Sequence, residues 1–184
     1  MTRWVKVSVV AMVALLVIGV AAPAKPSSDV ARENSVRYLL AAFRAFRTIY
    51  VSQVLERIQK VGIQPKEEWT ADDHAVMLPF QFVKMAALEM KSHIKDVDIG
   101  LVSLTPLHTS NFPKTEGEVE ALRKLTANPS QQVLTFRDGT QFKGIAADFA
   151  IEQSCVDCHN HHPNAHKKDF KKGDMMGAIV VRLK

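Results

Sequence analysis

The run Cys155-Val156-Asp157-Cys158-His159 carries the most specific chemistry in this chain. Two thiols three positions apart, with a histidine directly after the second, match the pattern for covalent attachment of a c-type haem. The spacing has a chemical reason. On one turn of chain both sulfurs reach the two vinyl groups at one porphyrin edge, and the adjacent imidazole turns onto the iron as proximal ligand. These are also the only two cysteines in the 184 residues. The expectation is one haem c, anchored by Cys155 and Cys158 and ligated by His159.

Two other chemistries use the same residues. Cys155, Cys158, His162 and His166 fit a Cys₂His₂ zinc site with an H-x₃-H spacing, but that site leaves His159 without a task. A redox-active disulfide needs the C-x-x-C spacing as well, yet no βαβ pattern precedes it here.

The N-terminus supports the haem reading through compartment. Arg3 and Lys6 precede the uncharged apolar run Val7–Val20, and Ala22-Pro23-Ala24 supplies small residues for cleavage. This is the layout of an export signal over residues 1–24. The run is short against the roughly 20 residues of a bilayer-spanning helix, and an uncleaved anchor stays open as an alternative. Either form places the domain outside the cytoplasm, in the periplasm or an equivalent space, and no second hydrophobic span follows. Without residues 1–24 the formal charge falls from +5 to +3, which is too mild to argue for nucleic acid. A polar leader over 25–34 then precedes one domain over 35–184, long enough for a single core with a porphyrin beside it.

The elements that must position the motif follow from hydrophobic period. Val36, Leu39, Leu40, Phe43, Phe46, Tyr50, Val54, Ile58 and Val61 recur at helical spacing, predicting a helix over about 30–61 stopped by Gly62, with Arg37, Arg44, Arg47, Glu56 and Lys60 toward solvent. A second helix is expected over about 71–95, kinked at Pro79 or beginning near it. Its main apolar arc holds Val76, Phe82, Val83, Ala86, Ala87, Met90 and Ile94. A second arc gathers His74, Met77, Leu78, Met85 and Leu88, which predicts a sandwiched helix with the haem as one neighbour.

After it the period changes. Val97–Thr105 reads as a strand ended by Pro106, and Thr115-Glu116-Gly117-Glu118 as a capping box opening a short helix to about Ala127. Val133–Phe136 and Gln141–Ala146 flank Arg137-Asp138-Gly139-Thr140, a hairpin turn. A short helix then carries the haem motif, and Ala178–Val181 forms a closing strand. Helices first and hairpin-linked strands later predict an α+β domain around an antiparallel sheet.

The stretch Cys155 to Pro163, then Lys168-Asp169-Phe170-Lys171-Lys172-Gly173-Asp174, then Gly177 and Val180, resembles the single-haem c-type PAS-like sensor domains of bacteria. Leu78-Pro79-Phe80-Gln81-Phe82-Val83-Lys84-Met85-Ala86, Ser103-Leu104-Thr105-Pro106 and Asn111 to Thr115 are similar too. The resemblance runs from about residue 35 to the C-terminus and is most specific in the last thirty residues. It implies a PAS-like antiparallel sheet flanked by long N-terminal helices, with haem near the sheet's end. Such domains serve as periplasmic input modules of kinases and cyclases, or as standalone exported proteins. No kinase or cyclase sequence follows here, so the expected partner is a separate redox protein or membrane signalling protein.

The sixth position on the iron is the open question. Some relatives use a cysteine of the second helix, and this chain has no third cysteine. The second arc offers Met85 as first choice, with Met77 and His74 as alternatives. His93 and His108 lack a supporting pattern and read as surface histidines. A thioether raises the reduction potential and suits electron transfer, two imidazoles lower it, and an open position admits a small diatomic gas. The functional expectation is a redox or diatomic-gas sensor domain, with a simple electron-transfer cytochrome as the alternative. A peroxidase-type enzyme lacks a motif for a distal acid–base pair. Lys167, Lys168, Lys171 and Lys172 read as a solvated loop or as partners for propionates or an acidic protein.

Overall fold

The computed structural model describes residues 28–184; the export signal or anchor proposed for residues 1–24 lies outside them. Among the described residues no helix is long and apolar enough to cross a membrane. Helix α1 spans Ser28–Ile49 and runs on through a π-helical stretch, Tyr50–Leu55, the α-helical turn α2, Glu56–Ile58, and a 3₁₀ turn, Gln59–Val61. Gly62 ends it with φ +89°, a left-handed value suited to glycine. Residues 28–34 thus form helix rather than a leader. Asp29 pairs with Arg137, and Glu33 accepts from the Thr135 hydroxyl at 3.1 Å, so both acids tie the first turns to the sheet.

Val36, Leu40 and Phe43 are the buried face of α1, as their spacing predicts, and Val36 and Leu40 are 0 % exposed. Each contributes about 1.5–3 kcal/mol by leaving water. Beyond Phe43 the buried line is Arg47, Val51 and Leu55, while Phe46, Val54 and Val61 face outward. Arg47 was expected in solvent. It is 5 % exposed because Asp148 receives its Nε at 3.0 Å and the Phe149 carbonyl its Nη1 at 3.3 Å.

A two-stranded parallel pair, β1 (Gln64–Pro65) and β2 (Ala75–Val76), precedes α3 (Pro79–His93). The second helix therefore begins at the proline, whose missing N–H is harmless in a first turn. Leu78, at the N-cap position, gives its N–H to the Gln81 side chain at 2.8 Å. Val83 and Ala87 are buried, and Met85 and Leu88 point outward.

The main sheet is antiparallel, in the order β3 (Val97–Val102), β6 (Met175–Leu183), β5 (Gln141–Phe149), β4 (Val133–Asp138). The β4–β5 hairpin turns on Gly139-Thr140, with Gly139 at φ +60°. Helix α4 (Glu116–Ala127) starts at Thr115, whose hydroxyl accepts from the Glu118 N–H, and buries Ala121, Leu122 and Leu125. The α+β architecture, with an antiparallel sheet and a long N-terminal helix, is as the sequence predicts. Helices α1 and α3 cover the core of Val83, Ile99, Ile179 and Val181, and α4 covers that of Val102, Ile145 and Val180. Gly144 permits the closest approach of α1: a Cβ there would lie 2.5 Å from Val36 Cγ1.

Candidate functional site

Helix α5, Gln153–His161, lies beyond the end of the sheet. Gln153 and Asp157 link their side chains at 2.8 Å one turn apart, and Pro163 holds His162 in the extended conformation that ends the helix. Val156 turns into a small core with Ala150, Phe170 and Met176. Cys155, Cys158 and His159 share the adjoining face, where the i, i+3 and i+4 spacing places them together, and Cys155 also packs against that small core.

All three line one cavity, open to solvent at its mouth. Its wall is mostly apolar, as in ligand pockets generally. Val51 and Leu55 of the π-helical stretch, Leu78–Phe80 at the start of α3, Leu101–Ser103 at the end of β3, Pro106–His108 and Met176–Ala178 complete it. The π-helical stretch is itself fixed by Tyr50, which donates to the Met77 carbonyl at 2.7 Å and stacks on Phe82 at 4.6 Å. Such stretches are frequent at functional sites.

The side chains suit a porphyrin and its iron. Both cysteines are free thiols. Burial, with Glu67 and Cys155 adding, pushes the Cys158 thiol up and keeps it protonated at neutral pH. Burial, then Arg47 and His162, lowers His159 to about 4, so its ring is neutral and a nitrogen lone pair is available to a metal. Phe170 meets the His159 ring edge-on at 5.7 Å. Asn160 holds that arrangement, donating to the Phe170 carbonyl at 2.9 Å and accepting its N–H at 3.0 Å. Arg47 and Asp148 form a charged pair on the wall, which Glu67 also lines. Burial raises the Asp148 carboxyl, against the pull of Arg47 and Arg44.

The other expected ligands lie elsewhere. Met85 is 47 % exposed and faces a separate groove bordered by Lys84, Leu88 and Lys91. Met77 offers its carbonyl to Tyr50, and its side chain does not line the cavity. His74 is exposed in the turn before β2, where its N–H meets Asp72 at 2.8 Å. The second apolar arc is not realised, because residues 74–78 are not helical and Met85 and Leu88 stay in solvent.

Nor does a Cys₂His₂ cluster form: His166 borders a different cleft, and the metal-capable cluster among the described residues is Glu67, His108 and His162. Their ligand atoms lie within 4.8 Å of one another. His162 is nevertheless unsuited to a metal. Its Nδ1 accepts the Asn164 N–H at 3.1 Å, so in the neutral ring Nε2 carries the proton and donates to Glu67 Oε1 at 3.1 Å.

Glu67 and His108 are the site residues that sequence reasoning passed over. His108 falls between two segments that carry the family resemblance, Ser103–Pro106 and Asn111–Thr115, and that position is the signal it offered. The basic loop after α5 is largely self-paired, Lys167 with Asp169 and Lys172 with Glu152 at 3.0 Å.

A family model described as Tll0287-like matches residues 26–183. No curated protein matches. Among solved structures, the crystal structure of the cyanobacterial haem protein Tll0287 is similar, with a TM-score of 0.55 and 15 % identity over 86 % of this chain and 96 % of that one. At that identity the likeness is one of fold.

Proposed function

The chain belongs to the Tll0287-like family, the haem-binding, sensor-like group that its sequence resembles, and from that premise we propose that it is an exported single-haem protein acting as a redox or diatomic-gas sensor domain with a separate partner. Haem binding is supported by the family and by an apolar cavity with a neutral imidazole on its wall. One observation carries the finer reading. Cys155, Cys158 and His159 stand on one turn of α5 and line that same cavity.

Cys155 and Cys158 are the thioether anchors, each adding its S–H across one vinyl group, and His159 is the proximal ligand. Haem, when bound, supplies an iron that exchanges one electron and, at an open position, takes a diatomic gas. Phe170 and Asn160 set the His159 ring plane, and the apolar wall excludes water. Arg47, paired with Asp148, adds a buried positive charge to the same wall.

The test is production of the full chain with haem-maturation machinery, followed by denaturation. Colour that stays with the polypeptide, and is lost from Cys155→Ala/Cys158→Ala, is expected; colour that washes away, or zinc in its place, ends this reading. Spectra of the reduced protein with carbon monoxide and nitric oxide then separate the roles. A haem inert to both in either oxidation state, with no change of structure on reduction, makes the protein an electron carrier.

A further inference from the structure

We propose that His108 is the second axial ligand of the iron, binding through Nε2 from the wall of the cavity that His159 also lines. The inference rests on the haem reading above and deepens it. It makes the iron a bis-imidazole centre and the signal an electron.

Three observations carry it. The first is the state of the atom itself. His108 Nε2 is shielded from solvent and makes no hydrogen bond, and it is the single buried side-chain nitrogen or oxygen in that condition among the described residues. Glu67 Oε1 lies 3.1 Å away, but not along the direction of a ring N–H, and that oxygen already accepts from His162. Buried polar atoms are almost always partnered, so an orphan beside a cavity marks a bond made to something the cavity holds. A metal satisfies the condition, with the ring proton on Nδ1.

The second observation is that the ring is positioned in advance. It lies between Phe80, at 5.0 Å between centroids, and His162, at 5.9 Å. Pro106 is buried two residues before it, and the 3₁₀ turn Thr109–Asn111 follows directly. The Asn111 N–H closes that turn on the His108 carbonyl at 2.9 Å. Little rotamer freedom remains to be lost when the ligand bond forms.

The third is the exclusion of the competitors. Met85 and His74 are on the surface, and His162 is committed by its tautomer. Met176 borders the cavity but packs beneath α5 with Val156 and Phe170.

The experiment uses the full chain loaded with haem. Optical and electron paramagnetic resonance spectra of the ferric wild type are expected to be low-spin with two nitrogen axial ligands. His108→Ala should turn high-spin, recover the low-spin spectrum on addition of free imidazole, and keep its covalent haem. His108→Met, which retains bulk and offers a thioether, should raise the reduction potential, and it serves if the alanine variant does not fold. Met85→Ala should leave spectrum and potential unchanged. An unaltered low-spin spectrum in His108→Ala, or a spin change in Met85→Ala instead, overturns the assignment while the haem reading stands. A wild type that loses its pigment on denaturation defeats the haem reading first, and this inference with it.

Discussion

Strands β5 and β6 run side by side through the whole sheet and meet opposite chemistry at their two ends. At one end Lys143 and Arg182 are register partners. Glu118, in the first turn of α4, packs against them, 0 % exposed, receiving Arg182 through two bonds of 2.7 and 2.9 Å, Lys143 at 2.9 Å and the Lys114 N–H at 2.9 Å. Asp98 and Asp138 take the remaining donors at 3.0 and 2.8 Å. At the other end Asp148 faces Gly177 across the same ladder, beside an apolar cavity and a histidine nitrogen without a bond. A buried polar group that serves the fold is saturated by the fold. One that serves a ligand is left incomplete until the ligand arrives.

Breaking the saturated end has the largest expected effect. Glu118→Ala leaves two buried cations facing each other and should cost about 3–5 kcal/mol, read as a fall in the urea midpoint. A loss below about 1 kcal/mol would mean the cations relax into water, and the contrast between the ends would weaken. The same cluster sets a pH dependence. Burial alone would raise the Glu118 carboxyl, but hydrogen bonds from Arg182, the Lys114 backbone and Lys143 bring it down to about 2 from its ordinary 4.5. The unfolded chain therefore binds the proton first as pH falls. The stability that Glu118 contributes is complete above about 4.5 and drains away toward 2. Unfolding curves between pH 6 and 2.5 check this, and Glu118→Gln should flatten that part of the profile.

Gly144 lies between the two ends, under α1. Its substitution by alanine forces a methyl to within 2.5 Å of Val36 Cγ1 and 3.0 Å of Leu40 Cδ1. Overpacking of this kind costs about 1–3 kcal/mol. Fluorescence from Trp69 and far-UV circular dichroism should lose structure at one lowered temperature. Two separate transitions would show that the ends fold independently.

The two ends also differ in how far they could be read from sequence. Placement within one turn was legible: Cys155, Cys158 and His159 stand together on α5 as their local spacing predicts, and Thr115 caps α4. So was the face of α1 as far as Phe43, because an undisturbed helix keeps its period. The π-helical stretch from Tyr50 then shifts the phase, and a charge partner about a hundred residues away, Asp148, draws Arg47 inside; neither has a local signature. Met85 was placed on a face that needs residues 74–78 to be helical, and the β1–β2 pair takes Ala75 and Val76 instead, with non-helical chain on either side. Glu67, His108 and His162 meet only through tertiary contact, so spacing along the chain carries no trace of their cluster.

The smallest expected effect sharpens the contrast most. In haem-free protein, His108→Leu removes an unbonded buried nitrogen and adds apolar volume at a cavity wall. A buried polar atom without a partner costs about 1–3 kcal/mol, so its loss should leave stability unchanged or raise it by up to about 1 kcal/mol once the Phe80 and His162 ring contacts are lost. Removal of a paired group such as Glu118 can only lower stability. Urea unfolding of the two variants beside wild type measures both signs in one experiment. A fall of more than about 1 kcal/mol in His108→Leu would assign the ring a structural bond, as at the Glu118 end, and the two ends would then be alike.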